Sequence, residues 1–270
     1  MEHFSVGRLT SLLLSLALVL GLFAGCKKKA ETASAASPTP GPSAVQFATP
    51  RPVAAPITGS VTPTLVGQES DSITKYLHFP TDPEAAKLDS AVQFYSDVTD
   101  EGFVESTHAL VGNNEAFKGA VQKALDWGRF TPATVDGKPV RTYVAGTVLF
   151  MHQEGQEVIV ISLATYDRDR VGQMENYIQP QLIGGIRHAL EKTIASLKQG
   201  VVVGGKAEVV VNVDAKGAIT KTTPLSETPK DSGLAILLND ALRGAHFTPA
   251  YENGRPAAGG INVVADFTKF

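Results

Sequence analysis

Hydrophobic and polar residues alternate in two separate parts of this chain. The alternation runs over residues 92–98 and again over residues 207–213. A period of two places every second side chain on the same face of a β-strand. Each run leads to a glycine, Gly102 or Gly217, after which a second strand follows. Both parts therefore predict a pair of antiparallel strands joined by a turn.

A helical pattern follows each pair of strands. Prolines at Pro132 and Pro249 end the pattern, because proline disfavours helical geometry in the residue before it and has no amide hydrogen to donate. Asp136-Gly137 and Asn253-Gly254 then predict tight hairpins, and a last strand runs to Phe150 or Phe267. The helix predictions rest on apolar residues at i, i+3, i+4, i+7 and i+8: Phe117, Ala120, Val121, Ala124 and Leu125, and then Leu234, Leu237, Leu238, Ala241 and Leu242.

These two parts are copies of one unit. Residues 124–139 and 241–256 align with eight identities in sixteen positions, which indicates an internal repeat. We predict an α+β protein with two tandem β-β-α-β domains, each a small antiparallel sheet with one packed helix. The shared fold-motif residues are Phe130, Pro132, Gly137 and Pro139 in the first copy and Phe247, Pro249, Gly254 and Pro256 in the second.

The N-terminal segment predicts export and anchoring. Residues 9–26 contain no charge and end in Phe23-Ala24-Gly25-Cys26, which resembles the lipobox of bacterial lipoproteins. That resemblance implies removal of residues 1–25 and a lipid on the sulfur of Cys26. The alternative is an uncleaved anchor, since eighteen uncharged residues reach the lower limit for a membrane-spanning helix. Lys27 stands where enteric lipoproteins of the inner membrane carry aspartate, so the outer membrane is favoured.

The next segment, residues 26–68, predicts a disordered spacer. It is rich in proline and has almost no bulky apolar side chain, so it cannot form a core. The remaining chain divides into a first domain at residues 69–155 and a second domain at residues 156–270. A buried strand is predicted at residues 157–164, and the pattern leaves open which domain contains it.

Charge and motifs argue against several classes of function. Acidic and basic residues number 13 and 7 in residues 69–155, and 12 and 12 in residues 156–270, so neither domain has the basic surface that nucleic acid requires. The six histidines lack metal-ligand spacing, and no catalytic motif is present. We expect no enzyme activity, metal, cofactor or small-molecule substrate. The aromatic residues Trp127, Phe130 and Phe247 are expected to pack in the core or at helix ends.

Specific motifs of both copies resemble the C-terminal domain of the TonB family. In the first copy these are Phe79-Pro80, the turn at Gly102, the corner 128–133 and Gly137-Lys138-Pro139. In the second copy Pro180 to Gly185 precedes a helix, and the corner is 246–250. The second copy departs from the family pattern at Ile194-Ala195, which replaces tyrosine-proline, and at His246, which replaces arginine. The resemblance implies the fold above and a role in the bacterial envelope.

We therefore predict a membrane-anchored periplasmic binding protein whose partner is another envelope protein, such as an outer-membrane receptor or transport component. The partner would add as a strand beside the last strand of a copy. An atypical TonB-type energy transducer and a structural lipoprotein facing peptidoglycan are the alternatives. The transducer lacks support in residues 9–26, which contain no histidine. The predicted binding residues are Tyr143, Val144, Val148 and Phe150, and Ile261, Val263, Val264 and Phe267.

Overall fold

The computed structural model describes residues 51–165, 176–195 and 204–270, and all of them belong to one compact unit, Pro42–Phe270. The predicted signal segment 1–25, the lipidation site Cys26 and residues 26–50 of the predicted spacer lie outside the described residues. Within the described residues, three α-helices and mostly antiparallel strands give an α+β fold, as predicted. The helices are α1 (Glu115–Trp127), α2 (Gly185–Ala195) and α3 (Leu234–Arg243). The strands are β1 (Val61–Thr62), β2 (Ser90–Val98), β3 (Val104–Val111), β4 (Ala133–Val135), β5 (Lys138–Val140), β6 (Thr142–Gln153), β7 (Gln156–Ser162), β8 (Tyr177–Ile178), β9 (Leu182–Ile183), β10 (Lys206–Val213), β11 (Ile219–Thr228), β12 (His246–Phe247), β13 (Ala250–Glu252), β14 (Arg255–Ala257) and β15 (Gly259–Asp266).

The first half of the molecule, residues 69–165, is built around a sheet in the order β3-β2-β6, and β7 pairs with β6 on the side away from β2. The short strands β9 and β12 of the second half extend the same sheet beside β6. One face of this sheet packs on α1. Its core holds large apolar side chains that are almost fully buried: Phe94, Phe117, Val121, Leu125, Phe130, Val148 and Phe150.

The second half, residues 176–270, contains a three-stranded sheet in the order β11-β10-β15. The alternating residues of β10 point to one face, which is covered by α3, as the periodicity predicted. A second helix, α2, packs against α3, whereas in the first half a short 3-10 helix, Ile73–Lys75, packs against α1. The buried apolar residues of this core include Val209, Val211, Leu237, Leu238, Ile261 and Val263.

The two halves share one hydrophobic core at their contact surface, which we call the seam. On the face of the first sheet opposite α1, Tyr95, Tyr143 and Ala145 pack in the same cluster as α2 and β15 of the second half. Tyr143 is fully buried. The first sheet is therefore covered on both faces, by its own helix on one side and by the second half on the other.

The C-terminal part of the predicted spacer is not disordered. Residues 51–68, which we call the strap, are ordered and lie along the seam. The backbone amide of Arg51 donates to Asp240 (2.8 Å) at the C-terminal part of α3, and β1 pairs with β4 in the first half. Between the halves, the buried amide and carbonyl of Thr64 bond the side-chain amide of Gln181 (2.7 and 3.0 Å). A segment poor in apolar residues is thus fixed by polar contacts with both halves, which composition alone did not reveal.

The predicted domain boundary after Gly155 also needs correction. Glu154 and Gly155 form a two-residue turn with positive φ angles of 52° and 78°, and this turn joins β6 to β7. A boundary there would divide a hairpin. Since β7 pairs with β6, the strand that the sequence left unassigned belongs to the sheet of the first half.

Candidate functional site

The last strand of the first half is not a free edge. It is β6, and it pairs with β2 along one side and with β7 and β9 along the other. The residues predicted to bind a partner there, Tyr143, Val144, Val148 and Phe150, are all fully buried. The prediction of an edge at this position is wrong, because the chain continues into β7 and that strand occupies the side of β6 that the repeat unit would leave open.

The last strand of the second half, β15, does not present a free edge either. Its side away from β10 faces the first half, where the amide of Val264 donates to the hydroxyl oxygen of Tyr143 (2.8 Å). Two residues further on, the amide of Asp266 donates to Nδ1 of His108 (3.4 Å). Burial raises the pKa of Tyr143 well above its usual range, so the hydroxyl stays neutral. The predicted binding residues Ile261, Val263 and Phe267 are buried, and Val264 is half-buried at the seam.

A group of polar side chains lies in the seam beside Tyr143. One carboxylate oxygen of Asp97 accepts from the amide of Ile186 (2.9 Å) at the start of α2, and the other lies 3.1 Å from Nε2 of His108. The hydroxyl of Ser106 lies 3.2 Å from the same Nε2. A Ser-His-Asp catalytic triad needs its serine and its aspartate on opposite ring nitrogens. This group therefore fixes α2 to the first sheet, and it does not have the geometry of a triad.

The fold-motif residues have structural roles. Phe130 and Phe247 are buried in the two cores. The hairpin glycines Gly137 and Gly254 have φ angles of 75° and 74°, which a side chain would strain. Pro132 and Pro249 follow these phenylalanines at the corner, while Pro139 and Pro256 lie in the short strands β5 and β14.

The side chain of Trp127 is on the surface, contrary to its prediction. Its side chain is 65% exposed at the end of α1, whereas core or helix-end packing was expected. Nearby, Phe103 is 43% exposed and the guanidinium of Arg129 lies 5.8 Å from the centre of its ring. Arg129 also forms an ion pair with Asp71 (3.3 Å). These aromatic side chains are therefore on the surface and do not contribute to the core.

The free edge of the first sheet is on β7. Its pairing with β6 is regular from Gln153↔Gln156 to Thr147↔Ser162, and among the described residues β6 is its only partner strand. In a hairpin with a two-residue turn, the residues that flank the turn exchange backbone hydrogen bonds and the pattern alternates from there. The amides of Glu157, Ile159 and Ile161 therefore point away from β6. They form a row of donors and acceptors at the edge of the sheet.

The outer edges of the two main sheets on β3 and β11 are less suited to pairing. Strand β3 has two register shifts against β2, and the Nζ of Lys269 bonds the carbonyl of Thr107 on β3. Strand β11 also has two register shifts, and it carries Pro224, which has no amide hydrogen. Bulges, lysine and proline are the features with which proteins protect sheet edges. Strand β7 has none of them, and its residues Val158, Ile159, Val160 and Ile161 are only half-buried.

The strand itself was predicted at residues 157–164, but its pairing with β6 was missed, although the residues before it indicate a hairpin. The four consecutive β-branched residues from Val158 to Ile161 favour a strand, and the Glu154-Gly155 pair before them favours a hairpin with the preceding strand.

The similarity between the two parts of the sequence also begins earlier than predicted. Pro63-Thr64-Leu65-Val66-Gly67 repeats as Pro180-Gln181-Leu182-Ile183-Gly184 at the same offset of 117 as residues 124–139 and 241–256.

Comparison with protein-family models, with curated proteins and with solved structures finds no match for this chain. The resemblance to the TonB C-terminal domain stays a prediction from the motifs. Among the described residues there is no group of three His, Cys, Asp or Glu side chains placed to hold a metal ion. The part of the chain that the structure describes also contains no helix long and apolar enough to cross a membrane. The site that stands out is the edge of β7.

Proposed function

We propose that this protein is a membrane-anchored envelope binding protein, built from two copies of a β-β-α-β unit similar to the TonB C-terminal domain. It captures an extended segment of another envelope protein as an added strand on β7. It is anchored through a lipid on Cys26 and faces the periplasm, with the outer membrane favoured. Its role is binding, and it carries out no chemical reaction.

The two-copy architecture is supported by the order of elements. The order β2, β3, α1, β4, β5 and β6 in the first half has the counterpart β10, β11, α3, β13, β14 and β15 in the second. In both sheets the strand that comes first in this order, β2 or β10, lies in the centre. The second strand, β3 or β11, is on one side of it, and the last strand, β6 or β15, is on the other. A register shift also falls at equivalent places, between Asp97 and Val98 and between Asn212 and Val213.

Equivalent glycines give further support. Gly102 and Gly217 have φ angles of 92° and 78°, and a side chain at either one would collide with a carbonyl oxygen, that of Phe130 or Phe247. These two phenylalanines occupy equivalent positions of the repeat. The turn of the first hairpin therefore packs on the corner after the helix in the same way in both halves, which favours one duplicated fold.

The edge of β7 is the single observation that carries the binding role. Strand addition needs an accessible strand with free backbone donors and acceptors, and it obtains its affinity mostly from the backbone. The three outward amides of Glu157, Ile159 and Ile161 meet that need, and the half-buried side chains around them add apolar surface. The two strands that the sequence favoured, β6 and β15, are both engaged within the molecule.

Binding is tested by capture of envelope proteins with the full chain. Ile159→Pro removes an outward amide without removing a hydrogen bond to β6, so capture should fall at least ten-fold while the fold is retained. Thr222→Pro, on the edge of β11, is the matched control and should leave capture unchanged. Equal capture by wild type and Ile159→Pro, with circular dichroism spectra that agree, would contradict the proposal.

Anchoring is tested on the mature N-terminus. Mass spectrometry of protein from the membrane fraction should find Cys26 as the first residue, carrying a lipid. Retention of residues 1–25 would instead favour the energy transducer, whose membrane helix must remain attached. This measurement is independent of the binding experiment, so either part of the proposal can fail alone.

A further inference from the structure

The register of β6 and β7 also determines where the side chains of an added strand would lie. Ile159 is opposite Phe150 and Ile161 is opposite Val148, and both isoleucines pack on the core of the first half. Glu157 is on the same face, because it differs from them by an even number of positions. A strand added to β7 therefore meets two apolar side chains and then one carboxylate along a single face.

The end of β7 near its turn is acidic. Glu157 and Glu154 are both exposed, and neither forms an ion pair within residues 51–165, 176–195 and 204–270. A cation opposite Glu157 would form a favourable cross-strand pair, whereas an acidic residue there would be repelled. The negative charge of Glu157 thus favours a basic residue at the partner position opposite it.

The direction of the added strand follows from the sheet, which is antiparallel at β6 and β7. Antiparallel pairing is slightly more stable per residue than parallel pairing. In that direction the partner residues run in the reverse order of those on β7. The residue opposite Ile161 comes first, the residue opposite Ile159 follows two positions later, and the residue opposite Glu157 follows two positions after that.

We propose that the edge of β7 recognises an extended segment of the form apolar-x-apolar-x-basic, bound antiparallel with its lysine or arginine beside Glu157. This inference rests on the proposed function and identifies the chemical class of the partner. A second copy of this chain fits less well, because β7 itself carries no basic residue to place opposite Glu157. The partner is therefore a different protein with a basic residue at the C-terminal end of an apolar strand.

The experiment uses the full chain in detergent and a labelled peptide, Thr-Val-Thr-Val-Thr-Lys-Thr, with blocked ends. A second peptide has glutamate in place of lysine, and a third has the reversed sequence. Fluorescence anisotropy should show binding of the lysine peptide about three-fold or more tighter than of either other peptide, which is within the range of a cross-strand charge pair.

Variants assign the charge preference to one residue. Glu157→Lys should reverse the preference, so that the glutamate peptide binds more tightly than the lysine peptide. Glu101→Lys makes the same change of charge at an exposed turn away from β7 and should leave the preference unaltered. Both positions are exposed, so neither variant is expected to disturb folding.

Several results would overturn the inference. Equal binding of the lysine and glutamate peptides, or a preference that Glu157→Lys does not reverse, would remove the basic residue from the recognised pattern. If the peptides bind in either of these cases and Ile159→Pro abolishes their binding, strand addition at β7 stands and only the proposed class of partner is wrong. If no peptide binds and the chain is a dimer that Ile159→Pro dissociates, a second copy occupies the edge.

Discussion

The last strands of the two halves, β6 and β15, have equivalent places in the order of elements but different neighbours. In the first half the chain continues from β6 into β7, so β6 becomes a central strand and the edge moves outward by one strand. In the second half β15 keeps the edge position, but the first half covers it through Tyr143 and His108. Two halves with the same order of elements therefore do not present the same free edge.

A large effect on stability is expected from opening the seam at Tyr143. Tyr143→Ala should lower the free energy of unfolding by about 3–5 kcal/mol, as for other large aromatic side chains removed from a core. Tyr143→Phe keeps the ring and leaves the amide of Val264 without its acceptor, which should cost about 1–3 kcal/mol. Urea denaturation measures both values.

Tyr251→Phe is the control for the hydroxyl group. Tyr251 donates to the carbonyl of Val61 (2.9 Å) at a half-exposed position, where water can replace the hydroxyl. Its substitution should cost less than Tyr143→Phe. If the two phenylalanine variants were equally stable, the hydroxyl of Tyr143 would not be closing β15.

The strap provides the second test, because it joins the halves. Gln181→Ala removes both hydrogen bonds to the buried backbone of Thr64 and should cost about 2–6 kcal/mol, since each of the two unsatisfied buried groups costs about 1–3 kcal/mol. Thr62→Val, also on the strap, removes an exposed hydroxyl that bonds the hydroxyl (2.8 Å) and accepts from the amide (3.2 Å) of Thr134 on β4. Because water can replace it at this exposed position, stability should change by less than about 0.5 kcal/mol. Thermal unfolding measures this difference, and similar values for both variants would contradict a fixed strap.

The third test asks whether equivalent turns in the two halves are under equivalent constraint. Gly102→Ala and Gly217→Ala should each cost about 2 kcal/mol or more, from a positive φ angle and a collision with a carbonyl oxygen. Gly137→Ala has a positive φ angle with open space around the new methyl group, so about 1 kcal/mol is expected. Chemical denaturation of the three variants checks this order, and a harmless change at Gly217 alone would weaken the duplication.

The smallest expected effect distinguishes the helix starts of the two halves. In the first half the neutral side chain of Asn114 accepts from the amide of Ala116 (2.9 Å). In the second half Glu227 reaches from β11 to the amides of Gly233 (3.2 Å) and Ala235 (2.8 Å). Burial raises the pKa of Glu227, but these bonds outweigh it and the pKa is lowered from 4.5.

A lowered pKa means that the carboxylate stabilises the fold above pH 4.5, and that this contribution disappears as the pH falls through the lowered value. Glu227→Gln should therefore cost about 0.5–1 kcal/mol at neutral pH, with the difference from wild type vanishing in acid. Asn114→Ala should cost about 1 kcal/mol without this pH dependence. Unfolding curves over a pH series measure both, and a constant loss for Glu227→Gln would exclude a charged cap.

The elements that follow from local pattern could be predicted from the sequence. Alternation gave β2 and β10, and apolar spacing gave α1 and α3, because each of these buries one face. The strap could not be predicted in this way, since it is fixed by polar contacts such as that of Thr64 with Gln181, 117 residues away. The free edge also depends on which strands become neighbours, and pairing between distant strands leaves little trace in local periodicity.

Among the described residues the edge of β7 is open, whereas that of β15 is covered. Amide hydrogen exchange measured by NMR on the free protein tests this difference most directly. The amides of Ile159 and Ile161 are expected to exchange orders of magnitude faster than those of Val158 and Val160, which bond β6, and the amide of Val264 is expected to exchange only with global unfolding. Slow exchange at Ile159 together with fast exchange at Val264 would show the opposite, a covered β7 and an open edge in the second half.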